Sequence, residues 1–205
     1  MCGMDDITDL TALRTHAGAV SALAEAKVLP HLERHSRRFI ELSPFLVLAT
    51  GDGEGLDASP RGDPPGFVRV LDDTMLLLPD RPGNRRMDSY ANILTDPRVA
   101  LIFLVPGIDE TLRVNSTARI TIDAALLADC AVDGRVPARG LLITVREVYF
   151  HCGKALIRSR LWDPASRIDR KTFPTLGRVI AEQTGRTRAE DAEASIAEAY
   201  VKKLY

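Results

Sequence analysis

Cysteine is scarce: Cys2, Cys130 and Cys152 are all that 205 residues contain, and three thiols spread over that length are no disulfide framework. A reducing compartment suits that usage. Aromatic residues make up only 5% of the chain, with a single tryptophan, Trp162. No apolar run approaches the ~20 residues of a membrane span, and Met1 to Asp6 are acidic, with no basic and apolar leader pattern. These absences predict a soluble, cytoplasmic protein that does not engage a membrane. A surplus of charge is missing too, since 27 basic and 28 acidic residues leave a formal charge of -1. Such a balance gives no general attraction to a phosphate backbone, so nucleic acid is not an expected partner. There is no internal repeat, no low-complexity stretch and no G-x-G-x-x-G loop, so a nicotinamide would bind only transiently. Asn115-Ser116-Thr117 and Arg61-Gly62-Asp63 match a glycosylation acceptor and an adhesion tripeptide, but both need an extracellular protein.

What is present is a chain able to close a core: 45% of it is hydrophobic and 27% charged, at a length that suits one domain with appended helices. Residues 1–42 read as a helical N-terminal segment, with breaks at Gly18 and at Pro30, where proline can open a new helix. His31 and His35 then stand four residues apart on one helix. Residues 43–162 read as the core, beginning with Phe45 to Thr50, a short apolar strand ended by a glycine-rich turn. Leu56 to Arg61, Phe67 to Leu71 and Thr74 to Pro79 follow as strands, the last two joined at Asp72-Asp73. Asn84 is placed to cap a helix from Arg85 to Thr95 with Met87, Tyr90, Ala91 and Leu94 on its buried face. Val99 to Val105 is apolar without alternation, as in a strand covered on both sides. Leu112 to Ile122 alternates with period two, setting Arg113 and Asn115 on the face opposite Leu112 and Val114. A short helix near Ala124 and a final strand or pair from Leu141 to Phe150 complete roughly six antiparallel strands, enough for a small closed barrel. Residues 163–205 form a C-terminal helical extension, its last helix opened by a Thr187-x-x-Glu190 capping box.

The stretch richest in chemistry is Leu76 to Arg86, a strand passing through a Gly/Pro turn into a helix whose first turn carries Arg85 and Arg86. Cations oppose the dipole at that end of a helix, whereas an anion gains both the forked guanidinium donors and the free backbone N–H groups. A phosphate group fits such a place; pairing of the two arginines with Asp80 or Asp88 is the plainer alternative.

Ser59-Pro60-Arg61-Gly62-Asp63, the Asn84-Arg85-Arg86 turn, Asn92-Ile93-Leu94 with Asp96-Pro97-Arg98-Val99-Ala100-Leu101-Ile102-Phe103, and Leu112-Arg113-Val114-Asn115 together resemble the pyridoxamine 5'-phosphate oxidase family of FMN-binding split barrels. More narrowly, the Phe150-His151-Cys152-x-Lys154-Ala155-Leu156 segment and Leu161-Trp162 are similar to a bacterial subgroup of FMN-dependent enzymes. The resemblance implies an α+β fold built on a six-stranded antiparallel split β-barrel with flanking N- and C-terminal helices. It implies a homodimer with FMN at the interface, acting as an oxidoreductase on an unidentified small-molecule substrate or electron donor. It places Asn84, Arg85 and Arg86 at the flavin phosphate. Ser59 and Arg61 would lie along the ribityl chain or ring edge with Asp63 near, and Arg113, Asn115, Lys154, Arg158 and Trp162 would reach across from the second subunit. A cation such as Arg61 or Lys154 near the N1–C2 carbonyl edge would stabilise reduced, anionic flavin. The C-terminal substrate signature of the vitamin-B6 oxidases is not recognisable, which argues for another substrate; the catalytic residues themselves are not identified.

Rival readings are weaker. Cys2 after a removable Met matches an N-terminal nucleophile, but nothing downstream supports that chemistry. The histidine pair lacks the intervening glutamate of a zincin helix, so no metal site is assigned. His151 and Cys152 could supply a haem ligand or a redox thiol, and the alternative function is a non-catalytic flavin or haem binding and sensor protein on the same barrel.

Overall fold

The computed structural model describes residues 6–202 and 204–205; Cys2 lies outside them. Helix α1 (Leu10–Ala17) is capped by Asp9, whose carboxylate accepts the Ala12 N–H, and it ends at Gly18, where φ is 81°. Helix α2 (Ala22–Ala26) is capped by Ser21. Helix α3 (Arg34–Leu42) opens with a reciprocal cap between Glu33 and Ser36 and buries Phe39 and Ile40. Pro30 therefore opens no helix. Its neighbour Leu29 instead exchanges backbone hydrogen bonds with Val148, leaving His31 ahead of α3, so the expected histidine pair does not share a helix.

The core is one antiparallel sheet of β1 (Phe45–Gly51), β2 (Leu56–Gly62), β3 (Arg69–Val70), β4 (Met75–Pro79), then, after helix α4 (Asp88–Thr95), β5 (Arg98–Leu104), β6 (Thr111–Thr121) and, after helix α5 (Ala124–Ala128), β7 (Gly140–His151). The strand order is β2-β1-β5-β6-β7-β4-β3. The six-stranded closed barrel is thus corrected: there are seven strands, and among the described residues no backbone ladder joins β2 to β3. Pro64 and Pro65, which follow β2, carry no N–H to donate, and Gly66 at φ 83° turns the chain away. Only two residues of the expected Phe67 to Leu71 strand pair with β4. Side chains bridge the seam instead. Arg81, beyond β4, donates from Nε to Asp63 Oδ2 at 2.5 Å, and Arg61 on β2 approaches Asp80.

One face of the sheet is the core: Leu46 and Leu48 of β1, Leu101 and Phe103 of β5, and Leu112 and Val114 of β6 are all completely buried, and α3 and α4 cover them. The opposite face is closed at β4 and β7, where Leu77 and Leu142 are buried with Leu127 of α5 and Cys130, and is incompletely covered over β1 and β5. Rather than being covered on both sides, β5 alternates, with Val99, Leu101 and Phe103 inside and Ile102 39% exposed. Beyond β7, helix α6 (Lys154–Ser159) follows a tight approach in which a Cβ on Gly153 would lie 2.6 Å from Asp109 Cβ. Helices α7 (Leu176–Thr184) and α8 (Ala189–Lys202) form the C-terminal extension. On α8, Ala192 is buried and Val201 is exposed. Among the described residues no helix is long and apolar enough to cross a membrane.

Candidate functional site

Helix α4 begins later than its sequence pattern suggests, at Asp88, with Met87 as its N-cap and no side-chain cap. Asn84 instead folds back to accept the Arg86 N–H at 3.1 Å. Arg85 and Arg86 therefore sit in the loop before the helix, where Arg85 and Met87 both adopt the left-handed region, at φ 62° and 60°. Non-glycine residues there cost roughly 1–2 kcal/mol each and gather at ligand clamps and active sites. The buried face of α4 is also rotated from the expected one: Ser89, Tyr90 and Ile93 are inside, while Leu94 is 78% exposed.

That rotation turns Ser89 toward β2. Its hydroxyl donates to Asp57 Oδ2 at 3.1 Å, lies 3.1 Å from Ser59 Oγ, and accepts from Arg61 Nη2 at 3.1 Å. Arg61 also donates to Ser59 from Nε and Nη2. Its Nη1 stands 3.9 Å from Asp80 Oδ1, and Arg139 Nε lies 3.7 Å from Asp80 Oδ2. Tyr90 is buried close to Asp80; burial, reinforced by the Asp80 charge, pushes its phenol above the ordinary tyrosine range. On the loop, Arg86 donates to Asp88 Oδ2 at 2.7 Å. The bond to Asp88 raises its guanidinium pKa, and the nearby Asp57 charge adds to this. A polar cluster thus gathers at the start of α4: hydrogen bonds join Asp57, Ser89, Ser59 and Arg61, looser ion pairs add Asp80 and Arg139, and Arg86 of the preceding loop feels the Asp57 charge without a bond to it. Two arginines of it, Arg85 and Arg86, are exposed. The donor set fits a phosphate monoester: several guanidiniums, one strained loop, and acidic groups too few to neutralise them.

Asp63 is not free to join that set. Its side chain is 1% exposed, held by Arg81 and by the Tyr205 hydroxyl at 2.6 Å, while Arg81 donates again to the Cys130 carbonyl at 2.9 Å and lies over the Tyr205 ring. Its place is the seam of the sheet. Burial pushes the Cys130 thiol up, so it is no ready thiolate.

Arg113 and Asn115 lie elsewhere. The ladder aligns Pro60, Val47, Ile102, Arg113 and Tyr149 in one row, and Arg61, Leu46, Phe103, Leu112 and Phe150 in the next. Adjacent rows face opposite ways, so Arg61 and Arg113 are on opposite faces of the sheet, three strands apart. Arg113 stacks over Tyr149, 5.1 Å from its ring centre, and Asn115 donates to Glu147 at 2.9 Å. Asn115 also lines an open groove of ≈ 760 Å³ with Ala49, Ala100, Thr117 and Arg146. In the adjacent row, which faces the core, the Ser116 hydroxyl is buried and has no hydrogen-bond partner among the described residues, beside a bulge that makes Arg146 the extra residue. Lys154 and Arg158 are exposed on α6, and Trp162 donates to the Ile108 carbonyl at 2.9 Å. No hydrogen bond or ion pair among the described residues joins these five to the Arg61 network within one chain. His151 and Cys152 are both exposed at the end of β7.

The sequence singles out Ser59, Arg61 and the Arg85-Arg86 pair, offers Asp80 only as a pairing partner for those two arginines and Tyr90 only as a buried residue of the helix, and misses Ser89 and Arg139. Asp80 adjoins the motif and offers a weak signal; Arg139 is remote in sequence and offers none.

The chain matches the family model described as pyridoxamine 5'-phosphate oxidase over residues 32–152, more than half of its length. No curated protein matches it. Among solved structures it is similar to HupZ of Group A Streptococcus, at 18% identity over 58% of this chain and 93% of that one, with a TM-score of 0.47. It is similar also to a Lactobacillus delbrueckii protein named after pyridoxamine 5'-phosphate oxidase, at 22% identity over 59% and 95%, with a TM-score of 0.46. An F420 reductase is similar at 19% identity over 58% and 98%, with a TM-score of 0.43. On the family match, which spans the whole sheet and both edges of the polar network, the chain belongs to the pyridoxamine 5'-phosphate oxidase family.

Proposed function

We propose that this protein is an FMN-dependent oxidoreductase whose flavin lies between two copies of the chain and which acts on an unidentified small molecule. The observation that carries the reading is the split placement of its polar groups. Arg61, Arg85 and Arg86 gather around the start of α4, while Arg113 and Asn115 face the other way across a sheet whose outer side is apolar and incompletely covered. Phe45 is 38% and Ile102 39% exposed there, flanked by half-buried Val47, Ala49, Ala100 and Leu104. Association of two copies over that face would bury it and bring the Arg113 and Asn115 of one copy within reach of the arginine network of the other.

In this arrangement Arg85 and Arg86 would grip the phosphate, with Asn84 holding the loop that presents them. Ser59 and Ser89 keep Arg61 in one orientation, so that its charge is fixed before anything binds, which lowers the ordering cost of binding. When bound, the flavin supplies two-electron hydride chemistry at N5, for which the protein provides position and charge. Trp162, tied to the β5–β6 loop, and Arg158 would close the site from the partner side.

The test is binding of FMN against riboflavin, which lacks only the phosphate. Replacing Arg85 and Arg86 by Ala removes two charge-assisted contacts of ~1.5–3 kcal/mol each, less whatever the exposed Asp88 pair already offsets. We expect FMN affinity to fall by roughly 30- to 1,000-fold and riboflavin affinity by less than about threefold. Equal losses for both ligands would refute the phosphate assignment, and a wild-type protein that leaves FMN unbound would refute the flavin reading.

A further inference from the structure

Arg139 and Asp80 face each other where the β4–β7 ladder ends: the ladder closes at Pro79 opposite Gly140, and the Asp80 N–H then donates to the Arg139 carbonyl at 3.0 Å. This backbone bond carries the Arg139 side chain to the same carboxylate that Arg61 approaches from the far edge of the sheet. Two guanidiniums thus flank one carboxylate, at 3.9 Å from Arg61 and 3.7 Å from Arg139. Neither separation is a hydrogen bond. Each arginine is held by something else: Arg61 by the two serines, and Arg139 by a contact from Nη1 to Met87 Sδ at 3.6 Å. Among the described residues, Arg61 Nη1 and Arg139 Nε have no acceptor within hydrogen-bond distance.

The three side chains are largely withdrawn from water, at 23% exposure for Arg61, 18% for Asp80 and 39% for Arg139. Unmade donors on partly desolvated guanidiniums favour an anion that can accept two bonds at once. One carboxylate between two cations leaves a net positive charge, and it accepts a hydrogen bond from neither. A doubly charged phosphate neutralises the pair better than Asp80 does, yet must tolerate the Asp80 charge nearby. We propose that Arg139 is a phosphate-binding residue of this site and that Asp80 is the counter-ion setting how tightly the Arg61–Arg139 pair holds a phosphate monoester. The inference rests on the flavin reading for the identity of the molecule that carries the phosphate, and on geometry alone for the phosphate.

The experiment uses the full chain and three probes, FMN, riboflavin and inorganic phosphate, with calorimetry for the flavins and phosphorus NMR line broadening for phosphate. Arg139→Gln is expected to weaken FMN and phosphate about tenfold while changing riboflavin less than about twofold, the loss of one charge-assisted contact. Arg139→Lys, which keeps the charge without the fork, should fall between wild type and Arg139→Gln. Asp80→Asn, which keeps the shape of the side chain, should tighten FMN several-fold by removing a like charge. Thermal melting of each variant separates loss of fold from loss of ligand. Wild-type affinity for FMN in a folded Arg139→Gln protein, or weaker FMN binding in a folded Asp80→Asn protein, would overturn the proposal. A wild type that binds phosphate but not FMN would sink the flavin reading and leave the Arg139 assignment to the phosphate data; one that binds neither would overturn both.

Discussion

Asp63 offers a sharp test of the structure because sequence resemblance places it near a flavin, whereas the fold makes it a seam residue. Its carboxylate accepts from Arg81 Nε at 2.5 Å and from the Tyr205 hydroxyl at 2.6 Å while only 1% exposed. Asp63→Ala leaves Arg81, itself 18% exposed, with a single remaining acceptor, the Cys130 carbonyl. Breaking a buried pair from one side costs about 3–5 kcal/mol; the partial exposure of Arg81 and its surviving bond bring the expectation to about 3 kcal/mol. For a chain of this length that is a fall in melting temperature of roughly 6–12 °C. The double variant Asp63→Ala with Arg81→Met removes both charges, and should recover about half of the loss or more, since the uncompensated cation is gone. Urea and thermal unfolding followed by circular dichroism measure both, and FMN titration of the folded fraction should show little change. A loss under about 1 kcal/mol, or strictly additive effects in the double variant, would refute the seam account; a large, selective loss of FMN affinity without destabilisation would return Asp63 to the ligand site.

Tyr90 should resist ionisation. Burial and the Asp80 charge raise its phenol in the fold, so the folded state keeps this proton where the unfolded chain releases it, and stability falls as pH rises above the ordinary tyrosine value of about 10. An alkaline titration of phenolate absorbance should show two late phenols, since the bond to Asp63 raises Tyr205 as well, and Tyr90→Phe should remove one of them; identical curves for the two proteins would count against the assignment. The outer face gives a different test: Ile102→Asp places a charge between Val47 and Arg113, at a position whose burial within one chain is incomplete. Light scattering should show wild type as a dimer and the variant as a folded monomer with reduced FMN retention, and an unchanged mass would argue against association over this face.

How much of this was legible in the chain depends on the distance over which each signal acts. Local chemistry was readable: the breaks at Gly18 and after Gly51, the period-two alternation of β6 with Arg113 and Asn115 opposite its core side, and the concentration of arginine before α4. The helix start was misplaced because Asn84 competes as an acceptor for its own loop, taking the Arg86 N–H, and a pattern of residue types does not reveal which of two local hydrogen bonds forms. The apolar run of β5 reads as covered on both faces, and only the sheet shows that one of those faces is incompletely covered, with Ile102 39% exposed. The open seam was not legible either, since it depends on whether strands remote in sequence come within ladder distance, and Pro64 and Pro65 settle that only once β2 is seen at the edge. Arg139 gives the clearest case. It lies 78 residues from Arg61 in the sequence, and no periodicity or motif links the two. The sequence by itself determined the family, the strands β1, β2, β4 and β6 and the cationic loop, because these follow from side-chain type and near-neighbour spacing. Tertiary structure alone decided that Asp63 closes the seam, that Asp80 stands between two guanidiniums, and that Arg61 and Arg113 face apart, because each depends on the curl of a sheet whose strand order departs from the order of the chain.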